Sequence, residues 1–281
     1  MDVKKVFVSG ATGYIGKLIS EHLARNNIDM IIGGKNNSGL LKWQEHLRGI
    51  NSELSILSVV YDLNNEDSWA SAARFVSRNK VDSYINCAGI QGTINPSIEL
   101  LISEIHTTMQ VNLYSSIFFS NYLTRELSVE NTFRIIHFSG GGSTNARPYF
   151  LPYSLSKTGL LRFIEIFALE NPDIQINAIA PGRLPSRMQE QIKNSNLPNS
   201  QLDFRLANVI PDDIEIQKIK ILELCDFLLS NHSEGISGKL ISAQWDNWEE
   251  WPKHLPELKE SDLYTLRRIT GRDRNLNWGD R

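Results

Sequence analysis

Alternation constrains this chain more than any other feature of its sequence. Runs rich in β-branched and aliphatic residues recur at 3–9, 29–33, 55–60, 81–86, 133–139, 174–179 and 239–242. Between them lie longer stretches with helical periodicity: 15–26, a segment around 43–47, 66–78, about 97–127, 152–169 and 214–230. In the first of these, Ile15, Leu18, Ile19 and Leu23 fall on one helical face. Strands that are apolar throughout, separated by amphipathic helices, predict an α/β chain with a parallel sheet covered on both faces. Pro152 falls in a first helical turn, where its missing N–H costs little. No fixed-period repeat or low-complexity tract interrupts the pattern.

Composition removes several other classes. Across 281 residues there are 29 Lys+Arg and 32 Asp+Glu, a net charge of −3. That balance argues against a nucleic-acid partner and against a polybasic membrane patch. No apolar run approaches the roughly 18 residues that span a bilayer, and Met1 to Ser9 enters a strand without a secretory apolar region. Cys87 and Cys225 form neither a CxxC nor a disulfide framework, which fits a cytoplasmic protein. The six histidines are dispersed without metal-ligand spacing, so no metal is expected; His137 stands out for its nearness to Ser139. By length alone the chain is one large domain or two small ones.

The first strand–helix junction reads Ser9-Gly10-Ala11-Thr12-Gly13-Tyr14-Ile15-Gly16. Glycines at 10, 13 and 16 permit a tight turn and close approach of backbone to a pyrophosphate, in front of a helix N-terminus whose free N–H groups attract anions. Its place between strand and helix is the context that such a motif requires. An acidic residue ending the second strand would favour NAD by binding the ribose 2′-OH. Here Gly34 is followed by Lys35 and Asn36, and Lys35 is suited to a 2′-phosphate. The expected cofactor is therefore NADP, with NAD second.

Tyr153 and Lys157 lie four apart in a predicted helix and share a face. An ammonium beside a phenol favours phenolate, so Lys157 is expected to lower the pKa of Tyr153 and make it an acid–base group. Ser139 ends the fifth strand, where it can bind a substrate oxygen, and Asn112 falls in the long helical region.

Taken together these stretches resemble the short-chain dehydrogenase/reductase family, over about residues 3–242. Ser9 to Gly16 resembles its cofactor glycine turn, and Asp62-Leu63 its adenine-contacting pair. Asn86-Cys87-Ala88-Gly89 resembles its Asn-Asn-Ala-Gly block. Asn112 matches the helix asparagine, Tyr153-Ser-Leu-Ser-Lys157 the Tyr-x-x-x-Lys motif, and Asn177 to Gly182 the loop beside nicotinamide. The resemblance implies a three-layer, Rossmann-like, doubly wound parallel sheet. It implies Tyr153 as general acid/base, Lys157 as its partner and ribose ligand, Ser139 orienting the carbonyl and Asn112 supporting a proton relay. It further implies cofactor contacts from Gly10, Thr12, Gly13, Tyr14, Ile15, Gly16, Lys35, Asp62, Leu63, Asn86, Ala88, Gly89, Tyr153, Lys157, Pro181 and Gly182. Pairing through the long fourth and fifth helices, as in the family, implies a homodimer or homotetramer.

There are departures. The Gly-x-x-Gly-x-x-Gly spacing is closer to the family's nucleotide-sugar branch, whereas the Asn-Cys-Ala-Gly and Pro-Gly blocks match the shorter branch. The family serine stands about 13 residues before the tyrosine, where this chain has Gly140; Ser139 is one position earlier and Ser143 is the fallback. Cys87 replaces an asparagine, and Ser186 stands near the family's threonine. With a single domain over 1–242, two segments fall outside the rhythm. Residues 183–213, flanked by Arg183, Arg187 and Arg205, read as a substrate lid. Residues 243–281, with Trp245, Trp248, Trp251 and Trp278, read as a C-terminal extension that sets substrate choice or assembly. Its wording is similar to reductases of surface-polysaccharide and sugar-modifying systems. The resulting expectation is an NADP(H)-dependent oxidoreductase interconverting a secondary alcohol and a ketone on a small molecule, with a sugar or nucleotide-sugar as the substrate class. An NAD-dependent sugar epimerase or dehydratase, and a non-catalytic nucleotide sensor on the same fold, are the rival readings.

Overall fold

A computed structural model of the chain describes residues 2–126, 132–195 and 213–276. Seven strands, β1 (Lys5–Ser9), β2 (Asp29–Gly34), β3 (Ile56–Val60), β4 (Ser83–Asn86), β5 (Phe133–Phe138), β6 (Ile174–Ala180) and β7 (Leu240–Ser242), form one sheet. Their order is β3-β2-β1-β4-β5-β6-β7 and every pair is parallel. Strand order reverses between β1 and β4, which opens a crevice at the carboxyl ends of those strands. The α/β alternation therefore folds as the doubly wound sheet that the sequence pattern requires.

The helices are α1 (Tyr14–Arg25), α2 (Asn37–Ile50), α3 (Asp67–Arg78), α4 (Ile102–Met109), α5 (Ser115–Arg125), α6 (Leu151–Glu170), α7 (Arg187–Lys193), α8 (Ile214–Leu228) and α9 (Leu255–Glu260). Side chains alternate across each strand, so each face of the sheet has its own core. Val6, Val8, Met30 and Ile32 pack with Ile19 and Leu23 of α1, Leu40 and Leu47 of α2, and Ile221 and Leu224 of α8. Phe7, Ile31, Tyr84 and Ile135 pack with Trp69 and Val76 of α3, Phe119 of α5, and Leu160 and Ile164 of α6. Apolar runs on both sides of the pleat are thus explained by two buried faces.

The helical region expected at about 97–127 is not uniform. A 3-10 turn (Ser97–Glu99) leads to α4, and a π-helical turn (Gln110–Tyr114) joins α4 to α5. From the expected lid the structure describes α7 and its flanks; residues 196–212, including Arg205, lie outside the described residues. In the C-terminal extension, Trp248 packs against Phe227 at 5.1 Å between ring centroids, and Trp251 against Tyr264 at 4.1 Å. Both tryptophans join the core on the α1, α2 and α8 face. Farther on, Leu240 N–H donates to Tyr264 O at 2.9 Å, and Lys239 Nζ to Leu263 O at 3.0 Å. Leu266 N–H donates to Glu165 Oε1 at 2.6 Å, and Arg162 Nη2 to Leu266 O at 2.8 Å. The extension thereby covers the outer edge of β7, whose backbone would otherwise be open to pairing. Trp278 lies outside the described residues.

Candidate active site

The glycine turn is shaped by close packing of backbone. Gly10 adopts φ +70°, and a Cβ there would stand 2.6 Å from Ala88 N; a Cβ on Gly16 would stand 2.2 Å from Gly10 O. No L side chain fits either position. Gly13 N–H donates to Gly10 O at 3.0 Å and Ala11 N–H to Gly33 O at 3.1 Å, which ties the turn to β2. Gly13 caps α1 without a side-chain cap, and the first turn holds no acidic residue. The N–H groups of that turn, which have no intrahelical acceptor, therefore face outward in a field that favours an anion.

Behind the turn a buried polar network sets the ends of β4 and β5. Asn86 Nδ2 donates to Ser116 Oγ at 2.8 Å, its Oδ1 accepts from Ala88 N at 3.2 Å, and its amide lies 3.3 Å from His137 Nδ1. His137 Nε2 lies 3.1 Å from Ser120 Oγ. Burial first, and the Lys157 charge second, hold the His137 imidazole near pKa 3, so it is a neutral core group supporting Asn86. Asn112 sits in the π-helical turn, the kind of irregularity that re-aims a side chain. Its Oδ1 accepts from Ile90 N at 2.8 Å, and its Nδ2 donates to Ile90 O at 2.9 Å and to Ser156 Oγ at 3.0 Å. Asn112 thus clamps the loop after β4. Gly89, in that loop, faces Asn112 Oδ1 and Lys157 Nζ at 3.3 and 3.7 Å from its Cβ position.

Tyr153 and Lys157 lie in the first two turns of α6, on its buried face. Lys157 Nζ donates to Phe138 O at 2.8 Å and lies 5.8 Å from the centroid of the Tyr153 ring. The expectation that Lys157 brings the phenol down is not met. Burial raises Tyr153 to about 12, with the charge of Arg147 pulling the other way. Burial lowers Lys157 to about 8. For both groups burial, which disfavours the charged form, is the leading cause of the shift. Ser139 and Ser143 now separate: the Ser139 hydroxyl is buried without a hydrogen-bond partner among the described residues, and Ser139 lines the cleft. Ser143 is buried and is not among the residues lining the cleft, and its backbone carbonyl accepts from Thr158 Oγ1 at 2.9 Å. At Gly140 a Cβ would stand 2.3 Å from Tyr153 Oη, so the phenol occupies the space that a side chain there would fill.

At the other end of the crevice, Lys35 follows β2 and Asp62 follows β3, and they pair at 2.8 Å. Burial raises the Asp62 carboxyl, but bonds from Lys35 and the Asn64 N–H leave it below its usual range. Asn36 caps α2 through Gly39 N at 2.9 Å. Leu63 packs against the core beside them.

A cleft of about 1000 Å³ opens beside these parts, and Gly10, Thr12, Gly13, Tyr14, Gly16, Lys35, Asp62 and Leu63 are not among its lining residues. It brings together Ile15, Ala88, Gly89, Ser139, Tyr153, Lys157, Pro181, Gly182 and Ser186. Asn86 and Asn112 are buried behind it. Arg183 lines it, whereas Arg187 does not. Cys87 also lines it, its thiol held neutral by burial. Arg147 is one of its residues that escaped sequence reasoning. Arg147 lies in the irregular stretch before α6, where no periodicity marks a position; its only signal was membership of the loop between the serine and the tyrosine. Trp245, 88% exposed, stands at the cleft's rim apart from the buried tryptophans that follow it.

The residues present fit a dinucleotide. Backbone at Gly10 and Gly16 leaves no room for side chains, α1 offers an N-terminus without a side-chain cap, and Ser139 carries an orphaned hydroxyl in the cleft that Ile15 of α1 also lines. Among the described residues no group of three or more His, Cys, Asp or Glu could hold a metal ion, and no helix is long and apolar enough to cross a membrane.

A model of the short chain dehydrogenase family matches residues 4–197. Gluconate 5-dehydrogenase of Gluconobacter oxydans (strain 621H) is 25% identical over 242 residues, covering 84% of this chain and 91% of that protein. The structure of NAD+-bound xylitol dehydrogenase matches with a TM-score of 0.72 at 21% identity, over 85% of this chain and 96% of that chain. Actinorhodin polyketide ketoreductase with NADPH matches with a TM-score of 0.73 at 20% identity, over 86% of this chain and 95% of that chain.

Proposed function

Because the chain belongs to the short chain dehydrogenase family and is thus an oxidoreductase of alcohol and carbonyl groups that works with NAD(P), we propose that it interconverts a secondary alcohol and a ketone on a sugar or sugar-linked substrate with NADP(H). The observation that carries this reading is the meeting of Tyr153, Lys157 and Ser139 in one cleft with Ala88, Gly89, Pro181 and Gly182, and with Ile15 of the first turn of α1.

When bound, the dinucleotide supplies or accepts the hydride. Gly10, Gly13 and Gly16 with the first turn of α1 hold the pyrophosphate, and Ala88, Gly89, Pro181 and Gly182 hold the nicotinamide end. Thr12, Tyr14, Asp62 and Leu63 border the adenosine end. Tyr153 Oη holds the proton that is given to, or taken from, the substrate oxygen. Lys157, fixed by Phe138 O, places an ammonium beside the phenol and binds ribose. Ser139 uses its free hydroxyl to orient the substrate oxygen. Asn112 keeps the loop after β4 in place behind Lys157.

Two further parts of the reading rest on separate observations. Lys35 at the end of β2 is 71% exposed and is the group to hold a 2′-phosphate, exchanging its bond to Asp62 for one to phosphate. Gln91, Asn145, Gln189 and Gln244 supply amides to the cleft, which suits a polyhydroxylated substrate. Titration with NADPH and NADH, followed by turnover on a panel of keto-sugars, tests both. Tighter binding of NADPH, weakened by Lys35→Ala while NADH is unaffected, is the expected result. Equal or tighter binding of NADH would overturn the cofactor assignment.

A further inference from the structure

We propose that Gln91 is a specificity residue whose side-chain amide binds a second oxygen of the substrate, a hydroxyl on a carbon neighbouring the one that reacts, so that the substrate class is a vicinal diol and its hydroxyketone. The inference rests on the oxidoreductase reading above and goes beyond it by placing a second polar group on the substrate. Gln91 lines the cleft together with Ser139 and Tyr153. It is 3% exposed, and its Nε2 is buried without a hydrogen-bond partner among the described residues. Burying an amide donor without a partner costs free energy, so such groups are rare in a folded chain and point to a ligand that completes them. The Ser139 hydroxyl is in the same condition in the same cleft. That hydroxyl accounts for one substrate oxygen; the second orphan, an amide, is completed by another.

The backbone holds Gln91 from both sides. Before it, Asn112 Oδ1 accepts from Ile90 N at 2.8 Å and Asn112 Nδ2 donates to Ile90 O at 2.9 Å. After it, Gly92 adopts φ +71°, and a Cβ there would stand 2.3 Å from Thr108 Oγ1. Thr108 Oγ1 donates to Glu104 O at 3.1 Å, so α4 backs this contact. A side chain carried between two fixed residues loses less freedom when it binds a ligand. Asn112 Nδ2 also donates to Ser156 Oγ at 3.0 Å, and Ser156 Oγ donates to Tyr153 O at 2.7 Å. The loop that carries Gln91 is thus tied to the turn of α6 that carries the phenol. Gly89 sets the scale: a Cβ there would stand 3.7 Å from Lys157 Nζ. Gln91 is two residues farther on, at most about 7 Å along the chain. A substrate oxygen held by Tyr153 and Ser139 therefore leaves the next carbons of the substrate beside the Gln91 amide. An amide carries both donors and an acceptor and no charge, which suits a hydroxyl.

The test is a ligand-observed NMR titration of the full chain, saturated with its reduced dinucleotide, using cis-1,2-cyclohexanediol, trans-1,2-cyclohexanediol and cyclohexanol, for wild type and Gln91→Met. Alcohol and dinucleotide are then both reduced, so no hydride passes during the measurement. Wild type should bind one of the two diols at least about 10-fold more tightly than cyclohexanol, because the mono-alcohol leaves a buried polar group unpaired. Gln91→Met, which keeps the length of the side chain and removes the amide, should bring that ratio to about 1 with the dinucleotide Kd unchanged. Equal binding of diols and cyclohexanol by wild type, no measurable diol binding, or a preference untouched in Gln91→Met would each overturn the proposal. Since the wild-type arms need no variant, a misfolded Gln91→Met does not rescue it. The same three alcohols, offered with the oxidised dinucleotide, separate this proposal from the reading it rests on. A diol preference in binding without hydride transfer would sink the oxidoreductase reading and leave the Gln91 site standing; hydride transfer from cyclohexanol and both diols with equal kcat/KM in wild type would do the reverse.

Discussion

At Gly140 one missing methylene decides how the tyrosine sits. The phenol of Tyr153 fills the space of a Cβ at that position, so Gly140→Ser, which restores a serine at the family spacing, should displace Tyr153 Oη and lower kcat by about 10-fold or more. A rise in kcat would show that the hydroxyl was merely missing. Lys157 tells a complementary story. Its folded pKa of about 8 lies below the unfolded value of 10.5, because burial disfavours the ammonium. Between those values the unfolded chain binds more protons, so stability rises with pH across that window and the full cost of burying the charge is felt below pH 8. Replacing Lys157 by Met should therefore raise stability near neutrality, by an amount on the order of 1–3 kcal/mol, and Tm with it. That gain should shrink as the pH is taken from 8 to 10.5; thermal melts across that range will show it or fail to. Such a charge, costly to fold and placed beside the phenol, is what a site selected for chemistry carries.

Among the elements, the β1–α1 turn and the irregular α4–α5 helix do the positioning. Gly16→Ala would drive a methyl group into Gly10 O, and the expected loss is about 3 kcal/mol or more together with dinucleotide binding. Asn112→Leu would leave both the N–H and the C=O of Ile90 unpaired beside a buried pocket, and denaturant titration should show a loss of about 2–4 kcal/mol. Much of this was legible in the sequence. Strand runs, the glycine spacing and the Tyr-x-x-x-Lys pair are local patterns, and each fell in the element where periodicity put it. The π-helical turn was not legible, because nothing in Gln110 to Tyr114 distinguishes i→i+5 from i→i+4 hydrogen bonding. Nor was the choice between Ser139 and Ser143, which depends on how a three-glycine run bends. The place of Arg147 in the cleft was hidden for the same reason: its contacts with Phe150 and beside Gly141 are set by tertiary packing.

Over the whole molecule, the doubly wound sheet leaves β7 as an edge, and the C-terminal extension covers it. Trp248 and Trp251 extend the core, while the backbone near Tyr264 meets Leu240. A chain ending after residue 261 should melt at a lower temperature and scatter more light than the full chain, through the bared edge of β7. An unchanged Tm with no added scattering would assign the extension a role other than covering the sheet. The sheet itself serves one end of the molecule: the carboxyl ends of β4, β5, β6 and β7 all open into the cleft where Tyr153 lies. If Tyr153 moves the proton of an alcohol–ketone conversion, its loss must show in turnover and not in cofactor binding. The direct measurement is the turnover of Tyr153→Phe against wild type on the same keto-substrate, with the dinucleotide Kd determined on the same samples. An unchanged Kd and a kcat lower by about 10²–10⁴-fold are expected; turnover equal to wild type would rule out Tyr153 as the proton donor.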